Sequence, residues 1–149
     1  MLIKVMDAPM PHEGLSIAVA TSRFNETITK VMQEACLARL AQNNVKETTV
    51  VQVSGALELP FILQALAQKK NHHALIALGA VIRGETYHFE VVANESARGL
   101  MQLQLALQIP VSNGVLTVDN EAQAFARAVQ KARDCADVAV EMASLLQTL

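Results

Sequence analysis

Four short apolar runs, each followed by a segment with helical spacing, constrain this chain more than any other feature of it. The runs cover residues 15–20, 48–53, 74–80 and 115–118, with a start as early as Val111 left open for the last. Continuous apolar segments of this length suit strands buried on both faces of a parallel sheet. The first helical segment carries Ile28, Val31, Met32 and Ala35, and the second carries Leu59, Ile62, Leu63 and Leu66 with Pro60 tolerated in its first turn. The third carries Phe89, Val92, Ala93, Leu100, Leu103 and Leu107. The fourth is long and keeps Ala122, Phe125, Ala126, Val129, Ala132, Ala136, Ala139, Val140, Ala143 and Leu146 at helical spacing. Its small residues let another helix, a second subunit or the chain's own sheet approach closely. Strand and helix alternating in this order predict an α/β fold with right-handed crossovers and a four-stranded parallel sheet covered by helices on both faces. Residues 2–6 offer a possible extra N-terminal edge strand.

A chain of 149 residues fits a single domain, 1–149, in which residues 1–13 read as a loose N-terminal arm. Lys4, Asp7, Pro9 and Pro11 break up any apolar core of a signal peptide. Hydrophobic residues make up 52% of the chain, yet no apolar run nears the roughly 18 residues of a membrane span, so a cytoplasmic location is expected. A net charge of -2 with 3% aromatic residues provides neither a basic stripe nor a stacking platform, which argues against nucleic acid. Cys36 and Cys135 lack metal-ligand spacing and read as free thiols. His72 and His73 have no His or Glu four residues on, so no metal is expected there.

Ligands of open parallel sheets bind outside the carboxyl ends of the strands, which is where the chemistry is to be sought. These ends read Thr-Ser-Arg-Phe-Asn over 21–25, Ser-Gly-Ala-Leu-Glu over 54–58, Gly-Ala-Val-Ile-Arg-Gly-Glu-Thr-Tyr-His over 79–88 and Leu-Thr-Val-Asp-Asn over 116–120. A helix beginning near Glu85 or Thr86 puts Gly84 at its mouth. Unpaired N–H groups, the positive end of the helix dipole and Arg83 then make a site for phosphate. His88 falls within the first two turns, placed for proton transfer. Taken locally, the same residues also fit a plain strand end with a surface histidine. The glycine spacing of 79–84 is that of a P-loop, but Glu85 and Thr86 stand where Lys and then Ser or Thr are needed, which argues against a nucleoside triphosphate.

Three segments, Gly-Ala-Leu-Glu-Leu-Pro over 55–60, the 79–88 stretch and Gly-Val-Leu-Thr over 114–117, resemble the lumazine synthase family in order and separation, and the resemblance covers nearly the whole chain. It implies a flavodoxin-like three-layer αβα sandwich. It also implies a transferase of riboflavin biosynthesis that condenses 5-amino-6-ribitylaminouracil with 3,4-dihydroxy-2-butanone 4-phosphate to 6,7-dimethyl-8-ribityllumazine, phosphate and water. No cofactor is implied. Family members assemble as pentamers, some of which build larger cages, with active sites between neighbouring subunits. Carried over by position, Phe24 stacks on the pyrimidinedione, Ala56 and Leu57 offer backbone hydrogen bonds, and Glu58 accepts from ribityl hydroxyls. Val81 and Ile82 contact the ring through their backbone, Gly84, Glu85 and Thr86 form the phosphate turn, and His88 transfers protons. Arg127 reaches phosphate from the neighbouring subunit, a task suited to a guanidinium.

Two positions depart from the pattern. A family lysine that follows a Gly-rich bend falls on Cys135, with Arg133 and Asp134 in place of the bend; Lys131, four residues after Arg127 and hence on the same face of an unbroken helix, is expected to substitute. A family aromatic residue becomes Asn113, which trades apolar contact for hydrogen-bonding capacity. These losses motivate an alternative reading, a non-catalytic pentameric or cage-forming protein that binds a lumazine or flavin. A pentameric riboflavin synthase and a generic flavodoxin-like phosphate binder are further alternatives.

Overall fold

A computed structural model describes residues 1–9 and 13–149 of the chain. The elements run β1 (Ser16–Ser22), α1 (Glu26–Gln42), β2 (Glu47–Val53), a 3-10 turn (Ala56–Glu58), α2 (Leu59–Gln68), β3 (Ala74–Ile82), α3 (His88–Leu107), β4 (Val111–Val118) and α4 (Glu121–Thr148). Among the described residues, four strands form one parallel sheet in the order β2-β1-β3-β4. Helices α1 and α4 cover one face and α2 and α3 the other, giving the flavodoxin-like three-layer sandwich. No helix among the described residues is long and apolar enough to cross a membrane.

The two faces are packed by opposite rules. The strand period of two sends Ile17, Val19, Ile76 and Leu78 toward α1 and α4, and Ala18, Ala20 and Ala77 toward α2 and α3. Bulky sheet residues therefore meet the alanines of α4, while the other face, where Ala18, Ala20 and Ala77 stand beside Leu75 and Val115, meets Leu59, Leu63, Leu100 and Leu103. Large against small keeps both layers at interior density. A polar brace adds to this, since Asp137 of α4 accepts hydrogen bonds from Arg39 Nε at 2.7 Å and from Asn43 Nδ2 at 2.9 Å.

Several expectations are corrected. Leu2 to Met6 forms no strand, because those residues lie largely exposed with no ladder beside them. Residues 10–12, which include Pro11 of the expected arm, fall outside the described residues. On α4 the buried stripe is Ala124, Ala128, Ala132, Cys135, Ala136, Ala139, Val140, Ala143 and Ser144, while Ala122, Phe125, Ala126, Val129 and Leu146 face outward. Two apolar stripes interleave on this helix, and the smaller one goes inside because the sheet beneath already supplies the bulk. That stripe serves the chain's own sheet and α1. Val31 on α1 and Leu107 on α3 are likewise outside, with Thr29, Cys36 and Leu40 buried on α1 and Ser96 on α3.

Candidate active site

The strand order reverses between β1 and β3, and at such a switch point the connections leave toward opposite faces and open a crevice at the carboxyl ends. A cavity of about 440 Å³ occupies it, lined by Phe24, Asn25, Ser54 to Glu58, Ala80 to Ile82, Gly84, Thr86, His88, Phe89 and Val92. Phe24, Ala56, Leu57, Glu58, Val81, Ile82, Gly84, Thr86 and His88, all expected from sequence, are thus brought together. Glu85 sits in the same turn but does not line the cavity.

Each wall has a local cause. Phe24 lies in the turn after β1, where its backbone N–H donates to the Ser54 carbonyl at 3.0 Å, tying the β1 and β2 ends together. The residue is 73% exposed, a large apolar surface held at the cavity rim. Asn25 follows in the left-handed conformation at φ 60°, which asparagine tolerates better than most residues. The Glu58 carboxylate folds back over Gly55, where an added Cβ would lie 3.0 Å from Oε2. Glycine there leaves room for the acid.

Helix α3 starts at His88, later than the expected Glu85 or Thr86. The first carbonyl to accept a helical bond is that of Tyr87, from Glu90 and Val91, and the Thr86 hydroxyl accepts the His88 N–H at 3.4 Å. Gly84, Glu85 and Thr86 consequently form an open, exposed turn in front of the helix. His88 is the first helical residue, with Val92 one turn on along the same cavity wall. Arg83, expected beside the phosphate, is instead committed to Glu90 and Asp119.

Arg127, Lys131 and Asn113 do not line this cavity. Arg127 and Lys131 line a second one of about 530 Å³, against β4, with Thr117, Gln123, Gln130 and Asp134. Helix α4 runs unbroken through both, which puts them on one face as expected. Arg127 Nη1 donates to the Gln123 carbonyl at 3.2 Å, one turn back. Cys135 is turned inward: an added Cβ on Gly114 would lie 3.1 Å from its Sγ, and burial pushes its thiol up. Cys36, also a free thiol, is pushed up to about 12 by burial first and by Cys135 second. Asn113 is exposed on β4 and its Oδ1 accepts the Val115 N–H at 3.0 Å.

Asn25, Ser54 and Gly55 stand in the strand ends quoted from the sequence but carry no assigned role there, and Phe89 and Val92 figure only as helix-spaced residues. The four-residue step from His88 to Val92 was the signal that they share a face.

The chain matches the family model described as 6,7-dimethyl-8-ribityllumazine synthase over residues 14–147. Among curated proteins, a Cupriavidus metallidurans protein named 6,7-dimethyl-8-ribityllumazine synthase is 50% identical over 145 residues, covering 96% of this chain and 86% of that one. A Leptothrix cholodnii protein of the same name is 50% identical over 144 residues, covering 95% and 94%. One from a Polaromonas species is 52% identical over 136 residues, covering 90% and 88%.

Proposed function

This chain belongs to the 6,7-dimethyl-8-ribityllumazine synthase family, and from that premise we propose that the cavity at the β1/β3 switch point is where it binds and joins its substrates. The chain is a transferase of riboflavin biosynthesis, condensing 5-amino-6-ribitylaminouracil with 3,4-dihydroxy-2-butanone 4-phosphate to 6,7-dimethyl-8-ribityllumazine, phosphate and water. The observation that carries the reading of the site is the convergence of an exposed aromatic ring, a carboxylate, an open turn at a helix start and a histidine around one cavity.

Phe24 offers its face to the pyrimidinedione, and stacking there recovers the apolar surface it now shows to water. The backbone of Ala56, Leu57, Val81 and Ile82 reads the ring edges, and Glu58 accepts from ribityl hydroxyls. Gly84, Glu85 and Thr86 receive the phosphate through backbone N–H groups and the Thr86 hydroxyl, in front of the positive end of α3. His88 lines the same cavity and moves protons as the substrate amine adds to the ketone and loses water to give an imine, the phosphate departs, and the ribitylamino nitrogen closes the second ring with loss of a second water. General acid-base help of this kind contributes roughly 100- to 10,000-fold in rate.

Phosphate needs cations, and the turn has none free: Arg83 is paired with Glu90 and Asp119, and Glu85 adds negative charge. Arg127 and Lys131 line a separate cavity on α4, so we assign them to the site of a neighbouring subunit, with Asn113 contributing from β4. A homopentamer with sites at its interfaces meets this requirement. The exposed apolar side chains Phe61, Met101, Leu105, Phe125 and Val129 support self-association. A cytoplasmic location suits the unpaired thiols Cys36 and Cys135.

The test compares the initial rate of lumazine formation from the two substrates with the spontaneous reaction. Acceleration lost in His88→Ala together with Arg127→Ala is expected; a rate no faster than background contradicts the reading and returns the chain to the binding or scaffold alternative.

A further inference from the structure

The phosphate turn carries an arginine that this chemistry does not use. Arg83 directly precedes Gly84, yet it does not line the cavity. Its Nε donates to Asp119 Oδ1 at 3.1 Å, its Nη1 donates to Glu90 Oε1, and its guanidinium carbon stands 4.3 Å from the centroid of the Phe89 ring. Two carboxylates and an aromatic face therefore engage this one cation, and the two carboxylates together outweigh its charge.

The partners belong to different elements. Phe89 and Glu90 lie one and two residues beyond His88 in the first turn of α3, and Phe89 is itself a cavity wall. Asp119 lies between β4 and α4, the helix that carries Arg127 and Lys131. The Arg83 backbone N–H extends the β3–β4 ladder by donating to the Val118 carbonyl at 2.8 Å. Between these anchors Gly84, Glu85 and Thr86 take part in no backbone hydrogen bond among the described residues. Beyond the Thr86 hydroxyl that accepts the His88 N–H, the placement of the turn relative to α3 depends on what holds its two ends.

We propose that Arg83 is a positioning residue: by bridging the β4–α4 junction to the first turn of α3, it fixes the phosphate turn and His88 relative to each other. The proposal rests on the reading of the cavity given above. Arginine suits the task because its planar fork reaches two carboxylates while its face stacks on a ring, which an ammonium does not reproduce. Exposed ion pairs add little to stability, so its removal acts on geometry more than on folding. Misplacement by an ångström is enough to cost a reacting pair about 100-fold.

The test is steady-state kinetics with both substrates, alongside inhibition by inorganic phosphate, for wild type, Arg83→Met, Arg83→Lys and Asp119→Asn. Arg83→Met is expected to lower kcat about 10- to 100-fold while the KM for the phosphate substrate and the inhibition constant of inorganic phosphate move by less than about threefold. Arg83→Lys recovers little of the loss, and Asp119→Asn, which removes one arm of the bridge, shows a smaller loss of kcat with the same unchanged phosphate affinity. Inorganic phosphate binding weakened about tenfold or more in Arg83→Met makes Arg83 a phosphate ligand and overturns the proposal. An unchanged kcat overturns it as well. Where Arg83→Met fails to fold, Asp119→Asn decides by the same two readouts. A wild-type protein without activity refutes the reading of the cavity itself, whatever the variants do.

Discussion

Asn25, at the mouth of α1, donates through Nδ2 to the Ala80 carbonyl on β3 at 2.8 Å, and so ties the loop bearing Phe24 to the strand whose next two residues floor the cavity. The bond crosses the switch point itself. Because Asn25 sits at φ 60°, glycine and alanine replacements separate two effects. Asn25→Gly loses the bond alone, whereas Asn25→Ala loses it and adds the left-handed strain of about 1 kcal/mol. Both variants are expected to bind 5-amino-6-ribitylaminouracil more weakly than wild type, with Asn25→Ala also melting lower than Asn25→Gly. Equal melting of the two variants contradicts the role of the left-handed conformation.

Lys131 is expected to act as the second phosphate cation in place of the buried Cys135. Losing one charge-assisted hydrogen bond costs about 1.5–3 kcal/mol, so Lys131→Ala should raise the KM for 3,4-dihydroxy-2-butanone 4-phosphate roughly 10- to 100-fold with little change in affinity for the pyrimidine. An unchanged KM removes Lys131 from the site.

Cys135 marks a position where no cation fits. An added Cβ on Gly114 would lie 2.7 Å from both the Ala77 carbonyl oxygen and Leu78 Cδ2, and 3.1 Å from the Cys135 sulfur, so strand and helix touch with no spare room. Cys135→Lys should therefore destabilise the fold by about 3 kcal/mol or more, and Gly114→Ala by about 1–3 kcal/mol, both read by urea denaturation. Wild-type stability in Cys135→Lys would show that the helix face can turn and restore a family-like lysine.

At the opposite end of the sheet, the Ser16 N–H donates to His73 Nδ1 at 2.9 Å, and the Ser16 hydroxyl lies 3.3 Å from His72 Nδ1. Burial lowers His72 below the ordinary 6.5, with Glu47 opposing and His73 reinforcing the shift. The unfolded chain therefore takes up this proton first as pH falls. The contribution of His72 is fully present above the ordinary value and is lost as pH drops through the folded value. The denaturation midpoint should fall as the pH drops below about 6.5, and His72→Gln should flatten that slope. An unaltered slope in the variant assigns the pH dependence to other groups.

The strands are legible as short runs rich in apolar and β-branched residues, although β2, at the sheet edge, holds no buried residue, and the cavity is legible because a parallel sheet gathers its strand ends. Phe24, Glu58 and His88 lie far apart in the chain, yet topology alone brings them to one crevice. The buried face of α4 was less legible, since its two apolar stripes differ in residue size and only the bulk of Ile76 and Leu78 opposite decides between them. The start of α3 was set by the Thr86 hydroxyl taking the His88 N–H, a local competition that helical spacing does not register. Arg83 was misread because its partners are 7 and 36 residues away, out of reach of any local pattern.

On the proposed reading, His88 and Arg127 complete one site from two subunits. The most direct measurement mixes His88→Ala with Arg127→Ala protein in equal amounts, dissociates and reassembles them, and compares the rate of lumazine formation with each variant alone. Random assembly around a closed ring leaves about a quarter of the sites with both residues intact, so activity should rise to about that fraction of wild type. A mixture no more active than its two components contradicts the shared site and places both residues in the service of a single chain.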